Sequence, residues 1–489
     1  MVQTYGVAPA RDEHEGGGES ESSALLGAAG AGKVLKREGH ATLTSSTSNL
    51  ANTIIGSGML TFPLALASAG IIPGMITCVF SGSVAAFGLY LLAAAAPRAP
   101  HRRASFFAIA DLTFPRAAVF FDAAIAIKCF GVSISYLIII KSLLPNVVES
   151  LYHDLTSPDT NPPAWALDGR NWITVLMVIL VPLAFLRRLD SLRHTSYIAL
   201  FSVAYLVLIV IVCYFRPLEG STPRGEVHLI KFTPNFVSTF PIQVFAFTCA
   251  QNASPFYHFA VLFADLSAQL FPIFNELKTN SQRRMNIVIA TSIGSATLTY
   301  EIIAVFGYLT FGSKVSANII AMYPSTSLFI AVGQLAIAIL VMFSYPLQVH
   351  PCRNCLDKVF HFGTPAAKPV AGDEEVEEVE DEHGVHAEMS PLKHTVLTTA
   401  IIASGFTIAY FVDDLQMVLS FVGATGSTTI SFILPGLFYW QMTRNDPSAS
   451  KALNRAALAL AAYGSFILVF CLSFNIWQLF HPVAGPRTH

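Results

Sequence analysis

Long apolar segments alternate with short polar ones along almost the whole chain. A helix needs about 20 predominantly apolar residues to cross the hydrocarbon core of a bilayer, so each segment can be compared with that length. Eleven segments can be assigned as spans, of which the fourth is the shortest and the sixth is anomalously long. The spans are residues 44–70, 73–96, 117–140, 171–186, 195–215, 233–277, 286–311, 326–349, 394–412, 416–440 and 456–480. The pattern predicts an all-α integral membrane protein with about eleven transmembrane helices.

The composition agrees with that prediction. Of the 489 residues, 53% are hydrophobic and only 12% are charged. Soluble domains carry roughly 25% charged residues. The charged residues lie almost entirely between the apolar segments, which argues against a soluble protein with buried helices.

Basic residues are unevenly divided between the two sides that alternating spans define. The N-terminal tail and the loops on its side carry twenty-one Lys and Arg residues, whereas the opposite loops and the C-terminal tail carry six besides Lys141 at the end of the third span. Because loops rich in Lys and Arg stay in the cytosol, the count predicts a cytosolic N-terminus and a non-cytosolic C-terminus. That arrangement requires an odd number of spans, which supports eleven.

Two polar segments lie outside the spans. Residues 1–40, rich in Gly, Ser and Glu, are predicted to form a disordered cytosolic tail before a transmembrane domain at 41–485. Glu21, Leu25 and Leu26 in this tail match an acidic dileucine signal, which sorting adaptors read for delivery to vacuoles and lysosomes. A flexible tail without a signal is the alternative. The longest cytosolic loop, 352–392, contains an acidic run that we interpret as a solvated linker.

The first span contains a helix-breaking sequence. Gly56 and Gly58 flank Ser57 near its middle, and Pro63 follows. Glycine destabilises a helix interior by about 1 kcal/mol, and proline removes a backbone hydrogen bond. An unwound segment would offer N–H groups to a carboxylate and carbonyl groups to a cation, as an amino-acid carrier requires. The alternative is a glycine pair that lets two helices pack closely.

Four segments, in order, resemble the amino acid/auxin permease family. The segment from Asn52 to Pro63 resembles the signature of its first helix, and three others resemble parts of its third, seventh and eighth helices. The last of them has the form seen in fungal vacuolar amino acid transporters. The segments are residues 52–63, 127–138, 306–312 and 344–353. The resemblance extends from about residue 41 to 480.

The resemblance implies a LeuT-like fold and a substrate site. The fold has two inverted five-helix repeats, spans 1–5 and 6–10, with an eleventh helix added. Spans 1 and 6 would be broken around a central site. There the N–H groups of Gly56, Ser57 and Gly58 would bind the substrate carboxylate, and Thr53 would lie nearby.

The same resemblance implies a coupling-cation site between spans 1 and 8. The matching positions are Asn52 and Ser344, whose side-chain oxygen atoms suit a small cation. Vacuolar members of such a family generally use protons and some relatives use sodium, so both ions stay open. We expect no cofactor and no bound metal, because Cys352 and Cys355 form a lone C-x-x-C pair and are weak evidence for zinc.

The sixth span departs from the family pattern, in which Gln-Asn is followed almost directly by Phe-Pro. Here the residues 253–269 separate Gln251-Asn252 from Leu270-Phe271-Pro272. A continuous helix over 233–277 would be about 67 Å long, far more than one crossing of a ~30 Å core needs. We interpret 253–269 as an anomalous insertion, a retained intron or gene-model error. A genuine re-entrant loop is the alternative.

Two ionisable residues inside spans are further candidates for function. Lys128, in the third span, could neutralise a partner such as Asp122 or bind an unwound carbonyl group. Glu301, in the seventh span, is a candidate proton site. Charged side chains are costly in hydrocarbon, so such residues usually serve a function.

These observations predict a secondary transporter that moves amino acids across the vacuolar or lysosomal membrane by alternating access. The alternatives are an amino-acid-sensing transceptor, a sodium-coupled plasma-membrane carrier, and a channel or structural membrane protein. The sequence has no Walker motif and no convergent catalytic set, so we expect neither a primary pump nor an enzyme. The expected partners are an amino acid, membrane lipid and a sorting adaptor at the tail, with no nucleic acid.

Overall fold

The computed structural model describes residues 42–98, 106–155, 162–186, 195–218, 220, 223–248, 270, 273–274, 277, 281–324, 327–360 and 389–481. These residues are mostly helical and include no β-strand. In chain order the α-helices are α1 (Leu43–Ile54), α2 (Phe62–Ala69), α3 (Ile71–Ala95), α4 (Phe106–Thr113), α5 (Ala118–Leu155), α6 (Ala164–Leu167), α7 (Gly169–Phe185), α8 (Thr195–Phe215), α9 (Phe236–Phe247), α10 (Gln282–Phe311), α11 (Leu328–Phe360), α12 (Pro391–Phe411), α13 (Leu415–Val422), α14 (Leu434–Thr443) and α15 (Lys451–Phe480).

The helices confirm the predicted class, an all-α membrane protein. In the described part of the chain, eight helices are long and apolar enough to cross a membrane, or nine if the bent pair at the first span is one crossing. The helices α7 and α9 are shorter and apolar, and they lie at the fourth and sixth predicted spans. The number of crossings and the inverted repeat stay predictions.

The structure differs from the predicted boundaries at several places. Helix α5 continues to Leu155, well past residue 140, and α11 continues through Pro346 and Pro351 to Phe360. The beginning of the predicted loop 352–392 is therefore helical. The short helix α4 was not predicted, because eight residues are too few to stand out as an apolar segment.

Several predictions fall outside the described residues. They concern the tail with Glu21, Leu25 and Leu26, the acidic run, Gln251-Asn252 and the insertion 253–269.

Two long helices, α5 and α11, pack against each other along the core. Each also carries a buried basic side chain that caps another helix. Lys141 Nζ donates to the carbonyl of Val412 at 3.0 Å, beyond the last turn of α12. Arg353 Nη1 donates to the carbonyl of Ala184, in the last turn of α7, at 3.2 Å. Positive charge is favourable at helix C-termini, where carbonyl groups lack partners, so the two side chains fix α12 and α7 to the core.

An extended segment, residues 225–233, connects two corners of the helix assembly, and we call it the strap. Its main chain is hydrogen-bonded to the α2–α3 corner and to the end of α10. Glycine is required at both corners, because Gly70 and Gly312 have φ of 87° and 60° and lie against the strap. The hydrogen bonds are Gly225 N to Phe311 O, Ser313 N to Glu226 O, Ile71 N to His228 O, Ile72 N to Leu229 O, Lys231 N to Ala69 O and Thr233 N to Ser68 O.

Candidate functional site

The first span is broken where its sequence predicts. Helix α1 ends at Ile54, Gly56 is extended (φ −135°, ψ −158°), and a 3-10 turn at Ser57–Thr61 leads into α2. The axes on the two sides of the break differ by 49°. Pro63 lies in the first turn of α2, where its missing N–H has no helical acceptor to lose.

The two glycines of the break have different surroundings. A Cβ on Gly58 would lie 2.8 Å from the Cβ of Ala246 in α9, so Gly58 allows a close helix crossing. A Cβ on Gly56 would meet only the carbonyl oxygen of Ile54, at 4.0 Å, among the described residues. The two glycines therefore differ in place: Gly58 permits close packing, and Gly56 lies in the opening of the helix, where ligand binding stays a prediction.

The main chain at the break has hydrogen-bonding groups to offer. The N–H of Ile55 still donates to Ala51, and the carbonyl of Gly56 accepts from Met59 at 3.1 Å. The N–H of Gly56 donates to no acceptor within the described part of the chain. The first N–H groups of a helical turn have no intrahelical acceptor, and the turn that starts at Ser57 adds such groups. A carboxylate could bind there.

A second helix ends beside this break. Helix α9 stops at Phe247, and Thr248 leaves helical geometry (φ −72°, ψ 119°). The Thr248 hydroxyl is held by the carbonyl of Val244 and by the hydroxyl of Ser431, each 2.9 Å away. The sixth span therefore leaves the helix just before the segment in which the sequence departs from the family pattern.

Polar side chains from two other helices, α5 and α11, lie near the break. The side chain of Tyr136, on α5, lies near those of Ser57 at the break and Gln348 on α11. All three residues are buried. Tyr136 and Gln348 lie in the segments that resemble the family, but the sequence offers no reason to single them out.

The chain between α13 and α14 also approaches this region. Residues Gly423–Ser427 and Thr429–Ile433 form wide π-helical turns. Gly423 lies directly against the carbonyl of Pro241 in α9, and Gly426 lies against Lys128 in α5. Such π turns are frequent at functional sites.

The candidate cation ligands are placed on separate helices. Asn52 is half-buried in α1, one turn before the break. Ser344 is buried in α11, and its hydroxyl donates to the carbonyl of Leu340 at 2.8 Å. Thr53 donates in the same way to Asn49 at 2.8 Å. No hydrogen bond joins Asn52 to Ser344 among the residues that the structure describes.

The two intramembrane charges lie on different helices. Lys128 on α5 is fully buried, with an exposed fraction of 0%. Both carboxylate oxygens of Glu301 on α10 are shielded, and neither has a hydrogen-bond partner of ordinary geometry within the described ranges. The thiol of Cys78 on α3 lies beside this carboxylate.

Comparison with known proteins identifies the family. The family described as "Transmembrane amino acid transporter protein" matches residues 39–259 and 261–480. The chain is 41% identical over 454 residues to "Vacuolar amino acid transporter 5" of Schizosaccharomyces pombe, covering 91% of this chain and 96% of that protein. It is 33% identical over 467 residues to "Vacuolar amino acid transporter 6" of Saccharomyces cerevisiae, covering 88% and 98% respectively. With both halves of the chain matched and the first span broken as described, the protein belongs to the transmembrane amino acid transporter family.

Proposed function

We propose that the protein is a secondary transporter that carries amino acids across the vacuolar membrane by alternating access. The substrate carboxylate binds the N–H groups of Gly56, Ser57 and Gly58, with Thr53 beside them. The relatives named as vacuolar amino acid transporters support the class of substrate and the membrane.

The observation that carries the proposal is the break itself. An extended residue between two helices, Gly56, followed by the buried Ser57, leaves main-chain dipoles available inside an apolar protein. Unpaired backbone groups are costly in such surroundings, so they are retained where a ligand satisfies them. A zwitterion offers a carboxylate that matches the N–H groups.

The coupling ion is a proton in our proposal, and Glu301 is the group that carries it. A charged carboxylate is strongly disfavoured where both oxygens are shielded and the neighbour in the described structure is the weakly donating thiol of Cys78, and a bound proton removes the charge. Sodium bound by Asn52 and Ser344 is the alternative. Lys128, which lies against Gly426 in the π turns, is proposed to neutralise a nearby carboxylate or carbonyl group and not to bind the ion.

Flux into vesicles that contain the purified protein tests the transport function. We expect saturable uptake and counterflow of at least one amino acid, and faster uptake when a pH gradient is applied. A transceptor would bind amino acids without flux, and a channel would show no counterflow. Either result would contradict the proposal.

The variant Glu301→Gln tests the proton site. The amide keeps the shape of the side chain but cannot exchange a proton, so we expect counterflow to persist while stimulation by the pH gradient is lost. Glu226→Gln, the same change at an exposed carboxylate on the strap, is the control. Gradient stimulation that survives in Glu301→Gln would exclude this residue as the carrier of the proton.

The variant Asn52→Ala separates the two ions. If sodium is the coupling ion, this variant loses stimulation by a sodium gradient and keeps its response to pH. Under proton coupling through Glu301, we expect the pH response in Asn52→Ala to stay within about twofold of the native one.

We also propose that the N-terminus is cytosolic and that Glu21, Leu25 and Leu26 direct the protein to the vacuole. A Leu25→Ala, Leu26→Ala double variant should move a fluorescently tagged protein to the plasma membrane. Unchanged vacuolar fluorescence would reject the sorting signal without affecting the transport proposal.

The insertion 253–269 is proposed to be absent from the mature protein. Transcripts that join the codons of Asn252 and Leu270 would support this, and uniform coverage of the insertion would reject it.

A further inference from the structure

One hydroxyl group contacts the main chain at both helix ends of the candidate site. Tyr300, on α10, places its Oη 2.8 Å from the carbonyl oxygen of Ile54 and 2.9 Å from that of Ala246. Ile54 is the last residue of α1, and Ala246 lies in the last turn of α9. The sequence alone does not indicate this contact, because it depends on how three helices pack.

The hydroxyl has one proton for two carbonyls, both within hydrogen-bond distance. A phenol has a single proton to donate, whereas each carbonyl oxygen can accept. Both carbonyls lie in the last turn of a helix, where intrahelical donors run out. The proton can be directed to α1, to α9 or between the two, so a single donor ties both helix ends together.

The ring of Tyr300 is held in place while its proton has that choice. It stacks on Phe62, the first residue of α2, with centroids 4.5 Å apart and planes 21° apart. It also packs edge-on against Phe247, the last residue of α9, at 5.2 Å. Tyr300 is completely buried, so water does not replace either hydrogen bond.

We propose that Tyr300 is a positioning residue that links the break in the first span to the end of α9, so that the two move together during transport. It acts through the main chain of Ile54 and Ala246, not by contact with substrate or ion. The inference rests on the proposed transport function and adds to it a residue, Tyr300, that couples the movements of the ends of α1 and α9.

The variant Tyr300→Phe removes the hydroxyl and keeps the ring contacts. Tyr308→Phe is the matched control: Tyr308 is also buried on α10, and its hydroxyl accepts from the N–H of His228 on the strap at 3.0 Å. We expect Tyr300→Phe to lower maximal uptake per folded molecule by roughly tenfold and to change KM by less than about twofold. Tyr308→Phe should keep uptake within about twofold.

Hydrogen–deuterium exchange distinguishes a coupling role of Tyr300 from a role in stability alone. In the native protein, addition of the transported amino acid should change exchange in residues 43–61 and 236–248 together. In Tyr300→Phe, the response of one segment should be lost while the other persists. Joint responses in Tyr300→Phe, or equal uptake per folded molecule in both variants, would overturn the proposal.

If the native protein transports no amino acid, the proposed function is refuted, but the coupling of the two segments through Tyr300 is not yet tested. Hydrogen–deuterium exchange measured without substrate then tests that coupling. Tyr300→Phe, and not Tyr308→Phe, should then exchange faster in both segments. Unchanged exchange in either segment would reject the link.

Discussion

The chain has two glycine-rich interruptions, and they have opposite structures. In the first span, Gly56 is fully extended and the helix axis turns by 49°. Between α13 and α14, the segment from Gly423 to Ile433 keeps helical dihedral angles, with φ −64° and ψ −48° at Gly423, and widens into π turns. Similar composition thus gives a broken helix in one place and a widened one in the other.

The difference lies in which donors replace the lost helical hydrogen bonds. In the widened segment, the main-chain N–H of Thr428 donates to the carbonyl of Gly423, five residues back, and the Thr428 hydroxyl donates to the same carbonyl at 2.7 Å. In the first span, the carbonyl of Ile54 accepts instead from Tyr300 on another helix. Local main-chain and hydroxyl donors keep the chain helical in one segment, whereas a donor from another helix stabilises an open break in the other. Glycine permits either outcome and does not choose between them.

The largest effect is expected at Gly58. Gly58→Leu places a side chain where even a Cβ would lie 2.8 Å from Ala246, so α9 must move. Overpacking of this kind costs about 1–3 kcal/mol or more, and uptake should fall to background. Thermal unfolding and vesicle uptake measure both effects. Gly294→Leu is the control on α10, where a Cβ would have no neighbouring atom within 4 Å among the described residues, and it should behave like the native protein.

A smaller effect is expected at the corresponding glycine of the widened segment. Gly423→Ala directs its methyl group at the carbonyl of Pro241, so we expect a loss of roughly 1–3 kcal/mol in unfolding free energy. Gly405→Ala on α12 is the control, because its methyl would make an ordinary contact with Phe130 at 3.7 Å. Equal unfolding free energies for the two variants would contradict the close contact between Gly423 and the carbonyl of Pro241.

The local hydroxyl can be tested directly. Thr428→Val keeps the shape and removes the donor to Gly423, so the unfolding free energy should fall by about 1 kcal/mol. Thr407→Val removes a similar hydroxyl bond on the exposed face of α12 and should have little effect. Equal unfolding of both variants would show that the hydroxyl does not maintain the π turns.

The smallest structural effect is expected at Gly56. Gly56→Ala has space for its methyl group, so stability should change by less than about 0.5 kcal/mol. The methyl group nevertheless lies beside the N–H groups proposed to bind substrate, and KM should rise roughly threefold. A destabilisation equal to that of Gly58→Ala would remove the contrast between the two glycines.

Much of the fold was predictable because membrane helices are specified by length and hydropathy. The break was also predictable, since Gly56, Gly58 and Pro63 weaken the helix locally. What escaped prediction depends on partners distant in sequence. The segment around Gly423 reads much like the first break, and only its threonines and neighbours keep it helical. Likewise, Tyr300 is one of many aromatic residues until packing places it between two helix ends.

The assignment of individual ligands was the least predictable part of the site. Asn52 and Ser344 follow from a resemblance, and their side chains share no hydrogen bond in the described structure. Ion binding depends on oxygen atoms converging to within a few tenths of an ångström, which neither helix sequence encodes alone. Their roles stay predictions for the flux experiments above.

The strap has a consequence for how this protein diverges among species. Most of its anchors are backbone atoms, so the side chains of residues 226–232 can vary without loosening either corner, whereas Gly225 lies against Ser313 and the Thr233 hydroxyl donates to Ser68. The exception is substitution by proline, which has no N–H to donate at Gly225, Glu226, His228, Lys231 or Thr233. We therefore expect orthologues to vary widely between these positions, with proline excluded from the five.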